Sequence, residues 1–263
     1  MTTLLDPRNG PDWDLPPPAW PPENYVIASV PRSGSTLLSR LLWDCGQAGA
    51  PSEYLNPMQL CDWERRFGGP RSRLLHSMLR GPLVGAVAGR WGWTLPRLQA
   101  HLDRVRWRRT RAGRFGLKLH MHHLRQHNGA AAPERLLGPC RWIRIQREDR
   151  LGQAISWARA LQTGQWASWQ APIAPAVYSR ALIHRLLQRI DDDERAWDAI
   201  FATRPHLTLR FEALRDAPAV ALRAALEALG HPDPHAVPTP PLSLGAQADT
   251  TSDQWRERYL SGR

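Results

Sequence analysis

Four short apolar runs mark the chain. Tyr25-Val26-Ile27-Ala28-Ser29 is the first and Phe115-Gly116-Leu117-Lys118-Leu119-His120 the second. Arg141-Trp142-Ile143-Arg144-Ile145-Gln146 alternates, and His206-Leu207-Thr208-Leu209-Arg210-Phe211 closes the set. Runs of this length, with β-branched and aromatic members, predict buried strands. Between them the apolar spacing turns helical. Leu37-Leu38, Leu41-Leu42 and Cys45 predict a helix stopped by Gly46. Leu151, Ala154, Ile155, Ala158 and Leu161 predict another, opened by Asp149 and closed by Gly164. Residues 176–202 read as an amphipathic helix, and Ala217–Leu229 as one ended by Gly230. Strand and helix alternate with short links, so the fold class is α/β: a parallel sheet flanked by helices. Elsewhere the pattern is weaker. Residues 1–24 are proline-rich and predict an irregular arm, and 47–60 read as a loop. Residues 61–113 show helix-compatible Arg and Trp spacing broken at Gly68-Gly69-Pro70, Gly81-Pro82 and Pro96, which predicts short helices in a lid or side lobe. Residues 25–263 are expected to form one domain.

Composition narrows the partners. A chain of 263 residues, 42% apolar and 22% charged, can bury a core and is not disordered. No run approaches the ~18–20 apolar residues of a membrane span. The opening MTTLLDPRNG lacks the basic start and apolar stretch of a secretory signal. Cys45, Cys61 and Cys140 form no CxxC pair and leave one odd, which fits a reducing compartment. A cytoplasmic protein without integral membrane association is expected. The net charge of +11 raises the question of nucleic acid. Yet Lys118 is the one lysine among 35 basic residues, and the arginines are scattered rather than clustered. A small anionic ligand accounts for local arginines equally well.

The strongest chemical signal is Val30-Pro31-Arg32-Ser33-Gly34-Ser35-Thr36, a polar loop between the first strand and the first helix. Helix N-termini present free amides and the positive end of the helix dipole to an anion. Gly34 permits close approach of the backbone, the hydroxyls of Ser33, Ser35 and Thr36 add donors, and Arg32 brings a planar cation. The nucleoside-triphosphate loop GxxxxGK[ST] is a poor match. Aligned on Gly34, its lysine position holds Ser35 and its first glycine position Ser29. An ATP-using phosphotransferase is therefore the weaker enzyme reading, and an arginine-rich nucleic-acid-binding module the non-enzyme alternative.

YVIASVPRSGSTLL resembles the bacterial PAPS-dependent sulfotransferases, above all the trehalose 2-sulfotransferase family. APSEYL at 50–55, IQREDRLGQAISWARALQTGQW at 145–166 and QADTTSDQWRERY at 247–259 are similar to further family blocks. The resemblance implies PAPS (3′-phosphoadenosine-5′-phosphosulfate) as donor, no metal, and a hydroxyl acceptor on a carbohydrate or other small metabolite, a sugar or glycolipid among them. It implies that Arg32, Ser33, Gly34, Ser35 and Thr36 hold the phosphosulfate end, that Arg147 and Ser156 grip the 3′-phosphate, and that Gln247 joins the donor site. The catalytic candidates are Glu53 as general base, Arg32, and Lys118, which either pairs with Glu53 or touches the sulfonate. Asp149 reads as a helix cap, and Gln153 as a packing residue or a neighbour of bound groups. Ala246 stands where the family usually has arginine. Residues 61–114 and 164–204 would shape the acceptor site, and family analogy suggests a homodimer. His120, His122, His123 and His127 invite a zinc reading, but no cysteine or carboxylate joins them at ligand spacing. Contact of one of them with the acceptor is the alternative. Trp157, Trp166 and Trp169 either flank a pocket or pack in the core.

Overall fold

The computed structural model describes residues 6–18, 21–67, 95–126, 133–242 and 250–262. Four parallel strands form one sheet: β1 (Glu23–Ser29), β2 (Arg114–His120), β3 (Cys140–Gln146) and β4 (Leu207–Arg210). Their spatial order is β2-β1-β3-β4, with β1 in the interior. The helices are α1 (Ser35–Asp44), α2 (Pro57–Phe67), α3 (Leu95–Arg109), α4 (Met121–Gln126), α5 (Pro133–Leu137), α6 (Arg150–Thr163), α7 (Arg180–Phe201), α8 (Phe211–Asp216), α9 (Pro218–Ala228) and α10 (Thr250–Leu260).

Both faces of the sheet are covered, which is why the strands read as nearly unbroken apolar runs. Tyr25 and Ile27 belong to one core with Leu38, Leu41 and Leu42 of α1 and Leu222 and Leu226 of α9. Val26 and Ala28 belong to the other, with Trp142, Ile155 of α6, and Ile183 and Trp197 of α7. Full burial of a leucine is worth ~1.5–3 kcal/mol, so the three leucines hold α1, and the loop before it, firmly on the sheet. Register then fixes the top of the sheet. Ile27 lies opposite Lys118 and Ser29 opposite His120. A period of two puts Lys118 and His120 on the same face as Ile27, the face that carries α1.

Several boundaries differ from the sequence reading. β1 starts at Glu23, inside the stretch expected to be irregular. The loop predicted over 47–60 gives way to α2 at Pro57. Pro96 does not break a helix: it lies in the first turn of α3, where its missing N–H has no helical acceptor to lose. Residues 68–94, part of the predicted lid, lie outside the described residues. Of 164–204, the first part is irregular, and α7 then begins behind its cap Ser179 and buries Ile183, Leu186, Ile190, Trp197 and Phe201. Residues 6–18 form two short 3₁₀ turns pinned to the body: Arg40 pairs with Asp6 at 2.7 Å and Arg8 with Asp44 at 2.6 Å.

Candidate active site

The loop after β1 takes a shape that few residues tolerate. Arg32 and Gly34 both have positive φ, 66° and 86°. At Gly34, the N-cap of α1, a Cβ would stand 2.3 Å from Cδ2 of Phe211, so both the conformation and the space require glycine. A left-handed arginine is a strained residue of the kind that collects at ligand sites. Ser33 is fully buried, and its Oγ has no hydrogen-bond partner. A buried hydroxyl left unpaired beside the open amides of a helix start is a donor ready for a ligand oxygen.

The block at 145–166 closes around this loop. Gln153, fully buried in α6, donates to the Pro31 carbonyl at 2.8 Å. Arg32 Nε donates to Ser156 Oγ at 2.9 Å, and its Nη1 to the Trp166 carbonyl at 2.5 Å. Arg147 Nη1 reaches the Arg32 carbonyl at 3.5 Å, and its guanidinium lies 4.9 Å from the ring centre of Phe211. Burial, then repulsion from Arg147 and Arg159, pulls the Arg32 guanidinium down to about 10. Mutually repelling, desolvated cations of this kind favour an anion between them. The donor set suits an anion: amides, a spare hydroxyl and several arginines.

The second half of the site is a buried carboxylate. Ser52 bridges to Leu117 in parallel fashion, and its carbonyl accepts from Lys118 N at 2.9 Å, extending the sheet beyond its edge strand. Tyr54 stacks on Phe115 at 5.8 Å and fixes the next turn. Glu53 is thereby held over the end of β2. Its Oε1 accepts from Lys118 Nζ at 2.7 Å and approaches His120 Nε2 at 3.3 Å. Its Oε2 accepts from Asn56 Nδ2 at 2.6 Å, and His123 Nε2 lies 3.8 Å away. Lys118 Nζ also donates to Thr36 Oγ1 at 2.9 Å, which ties the acid through the lysine to the helix start after the loop. His120 is held from behind by Ser29 Oγ at 2.9 Å. Burial pushes the Glu53 carboxyl upward, but Lys118 and then His120 outweigh it and hold the group well below the usual carboxylate range. Burial, aided by His120, pulls His122 down to about 3, and burial with His122 keeps His123 far below the usual histidine range.

The structure thus brings together Arg32, Ser33, Gly34, Thr36, Glu53, Lys118, Arg147 and Ser156 at the carboxyl ends of the strands, while Ser35 opens α1. Lys118 pairs with Glu53, one of the two roles expected for it. Gln247, Ala246 and His127 lie outside the described residues. Glu53, which no local ligand spacing links to the histidines, reaches His120 across 67 residues of sequence. Even so, among the described residues no group of three or more His, Cys, Asp or Glu side chains is placed to hold a metal ion. Asp149 caps α6, accepting from Gly152 N at 2.9 Å. Trp157 is buried, whereas Trp166 and Trp169 are exposed. Phe211 and the role of the Trp166 carbonyl were not marked in the sequence, because nothing local marks a group that acts on a distant loop; Asn56, three residues from Glu53, was also passed over. Among the described residues no helix is long and apolar enough to cross a membrane.

Comparison with known proteins agrees with this layout. The family model for Stf0 sulphotransferase matches residues 24–261. The trehalose 2-sulfotransferase of Mycobacterium tuberculosis (strain ATCC 35801 / TMC 107 / Erdman) is 28% identical over an alignment of 267 positions, covering 89% of this chain and 93% of the relative. That of Mycolicibacterium smegmatis (strain ATCC 700084 / mc(2)155) is 30% identical over 264 positions, covering 90% and 94%. With almost the whole fold spanned by the match, this chain belongs to the Stf0 sulphotransferase family.

Proposed function

We propose that this protein transfers a sulfuryl group from PAPS to a hydroxyl of a sugar, and that Glu53 takes the hydroxyl proton. The observation that carries the reading is the continuous contact from Thr36 through Lys118 to Glu53, which ties a buried carboxylate to an anion-binding loop. The donor supplies a sulfuryl group on a phosphate that leaves readily, so the protein has to position, stabilise charge and move one proton. The α1 amides, Ser33 and Arg32 stabilise charge on the departing phosphate oxygen, as an oxyanion hole does. Arg147 and Ser156 hold the ribose phosphate, for which a guanidinium has the right planar geometry.

Glu53 is a weak base because Lys118 holds its charge. That suits a loose transition state, in which the attacking oxygen loses its proton late. As negative charge builds at the transferring group, Lys118 can shift toward it from Glu53, and the carboxylate gains basicity when it needs it. Atoms balance: the sulfur–oxygen bond to phosphate breaks, one to the acceptor oxygen forms, and the proton ends on Glu53. A sugar acceptor is supported by the names of both relatives, and trehalose is the first acceptor to try, with a lipid-linked sugar second.

The test is transfer of labelled sulfate from PAPS to trehalose and to a sugar panel. Glu53→Gln is expected to keep affinity for adenosine 3′,5′-bisphosphate and to lose about 10²–10⁴-fold in turnover. Full turnover of that variant at saturating acceptor would remove Glu53 as base. Failure of the wild-type chain to release adenosine 3′,5′-bisphosphate with any acceptor would remove the donor assignment.

A further inference from the structure

Beside Arg147, where the ribose phosphate of the proposed donor would bind, a carboxylate already stands. Asp149 uses Oδ1 to cap α6. Its Oδ2 receives two guanidiniums, Arg256 at 2.5 Å and Arg147 at 3.4 Å. The three groups crowd the space over Gly152. A Cβ there would lie 2.1 Å from Asp149 Oδ2, 2.7 Å from Arg256 Nη2 and 2.8 Å from Arg147 Nη2. Arg256 arrives from α10, which is seated against α6 by the buried Trp255 and by Arg159 donating to Ser252 at 2.6 Å. Asp149 and Arg256 keep 36% and 39% of their side-chain surface, so an incoming ligand can reach both. Arg147 Nε is buried without a partner, although its outer nitrogens are engaged.

This arrangement poses an electrostatic problem. A phosphate that binds Arg147 must sit beside Asp149, and like charges at such range in a half-buried site repel strongly. A second cation on the same carboxylate oxygen removes the difficulty. We infer that Arg256 is a positioning residue for donor selection: it neutralises Asp149, so that the carboxylate which orients Arg147 does not repel the ribose phosphate that Arg147 binds. Arg256 therefore acts through Asp149 and sets the preference for a nucleotide phosphorylated on its ribose. The inference rests on the donor reading above.

Calorimetric titration of the full chain with adenosine 3′,5′-bisphosphate and with 5′-AMP tests it. The wild type is expected to favour the bisphosphate. Arg256→Ala is expected to weaken the bisphosphate about tenfold or more and to leave 5′-AMP within about twofold, so the preference collapses. Adding Asp149→Asn, which still caps the helix, is expected to restore most of the lost affinity. A merely structural Arg256 would weaken both nucleotides alike, and removing the Asp149 charge would restore nothing; either result overturns the inference. Should Arg256→Ala fail to fold, Arg256→Gln carries the same test, and Arg256→Lys, which keeps the charge, should retain the preference. A wild type that does not distinguish the two nucleotides removes the donor reading and this inference together. A wild-type preference that survives Arg256→Ala intact removes the inference alone.

Discussion

The two halves of the site stand at the same end of the same sheet, yet they are finished to different degrees. Around the loop between β1 and α1, hydrogen-bonding capacity is left over. Ser33 Oγ is buried and unpaired, Arg147 Nε likewise, and Arg32 sits in a left-handed conformation. Around Glu53 the acid itself is fully engaged, although His123 Nε2 beside it is buried without a hydrogen-bond partner: both carboxylate oxygens have nitrogen neighbours, and Lys118 and His120 are themselves braced from behind. The difference fits the role proposed for each half. A binding cradle that satisfied itself would have to break its own bonds to admit a ligand. A proton acceptor inside a protein must instead be held charged in one place, and that requires partners before any substrate arrives.

The sharpest way to break this comparison is to neutralise the acid. Glu53→Gln should remove turnover while sparing nucleotide affinity, which separates the two halves by kinetics. Next in size is Gly34→Ala. It combines a positive φ with a Cβ 2.3 Å from Phe211, so it should cost roughly 1–3 kcal/mol of stability and weaken nucleotide binding while leaving the Glu53 contacts in place. Denaturant unfolding and nucleotide titration measure the two effects; an unaltered unfolding midpoint would mean that the cradle is not built tightly.

Lys118→Met probes the link between the halves. Without the lysine, burial at Glu53 meets less opposition, its pKa rises above that of the wild type, and the deprotonated form is lost at a higher pH. The acidic limb of the turnover profile should therefore move to higher pH, and an unmoved limb would detach Lys118 from Glu53. Stability carries the same sign. A carboxyl depressed in the folded state stabilises the fold above its unfolded value near 4.5 and loses that contribution as pH falls through the folded value. The smallest effect concerns His122. Its folded value of about 3 lies below the unfolded 6.5, so between these the unfolded chain binds a proton that the folded chain refuses. Stability should decline as pH falls below about 6.5, and His122→Gln should flatten that slope. Melting temperatures between pH 7 and 5 give the comparison, and an equally steep slope in the variant would assign it to other groups.

Legibility in the sequence tracked the range of the interactions involved. The four strands, the helix start after Ser33-Gly34 and the Asp149 cap follow from neighbours within a few residues, and the composition of the loop suggested an anion site. Pro96 misled because a proline inside a helix and one in its first turn look alike without the helix boundary. Glu53 had no local mark and stood out only through a family likeness. Arg32 meets Trp166 across 134 residues and Arg256 meets Asp149 across 107, distances at which no spacing rule operates.

The sequence alone set the class of the fold and the place of the polar loop before α1, since periodicity, turn residues and helix capping are local physics. The order β2-β1-β3-β4, the pairing of Lys118 with Glu53, the arrival of Glu53 among the histidines and the two arginines on Asp149 were settled only in three dimensions. Each is a contact between segments that gain nothing from one another along the chain. Only burial at the shared end of the sheet, where charges lose water and must find partners, makes them specific.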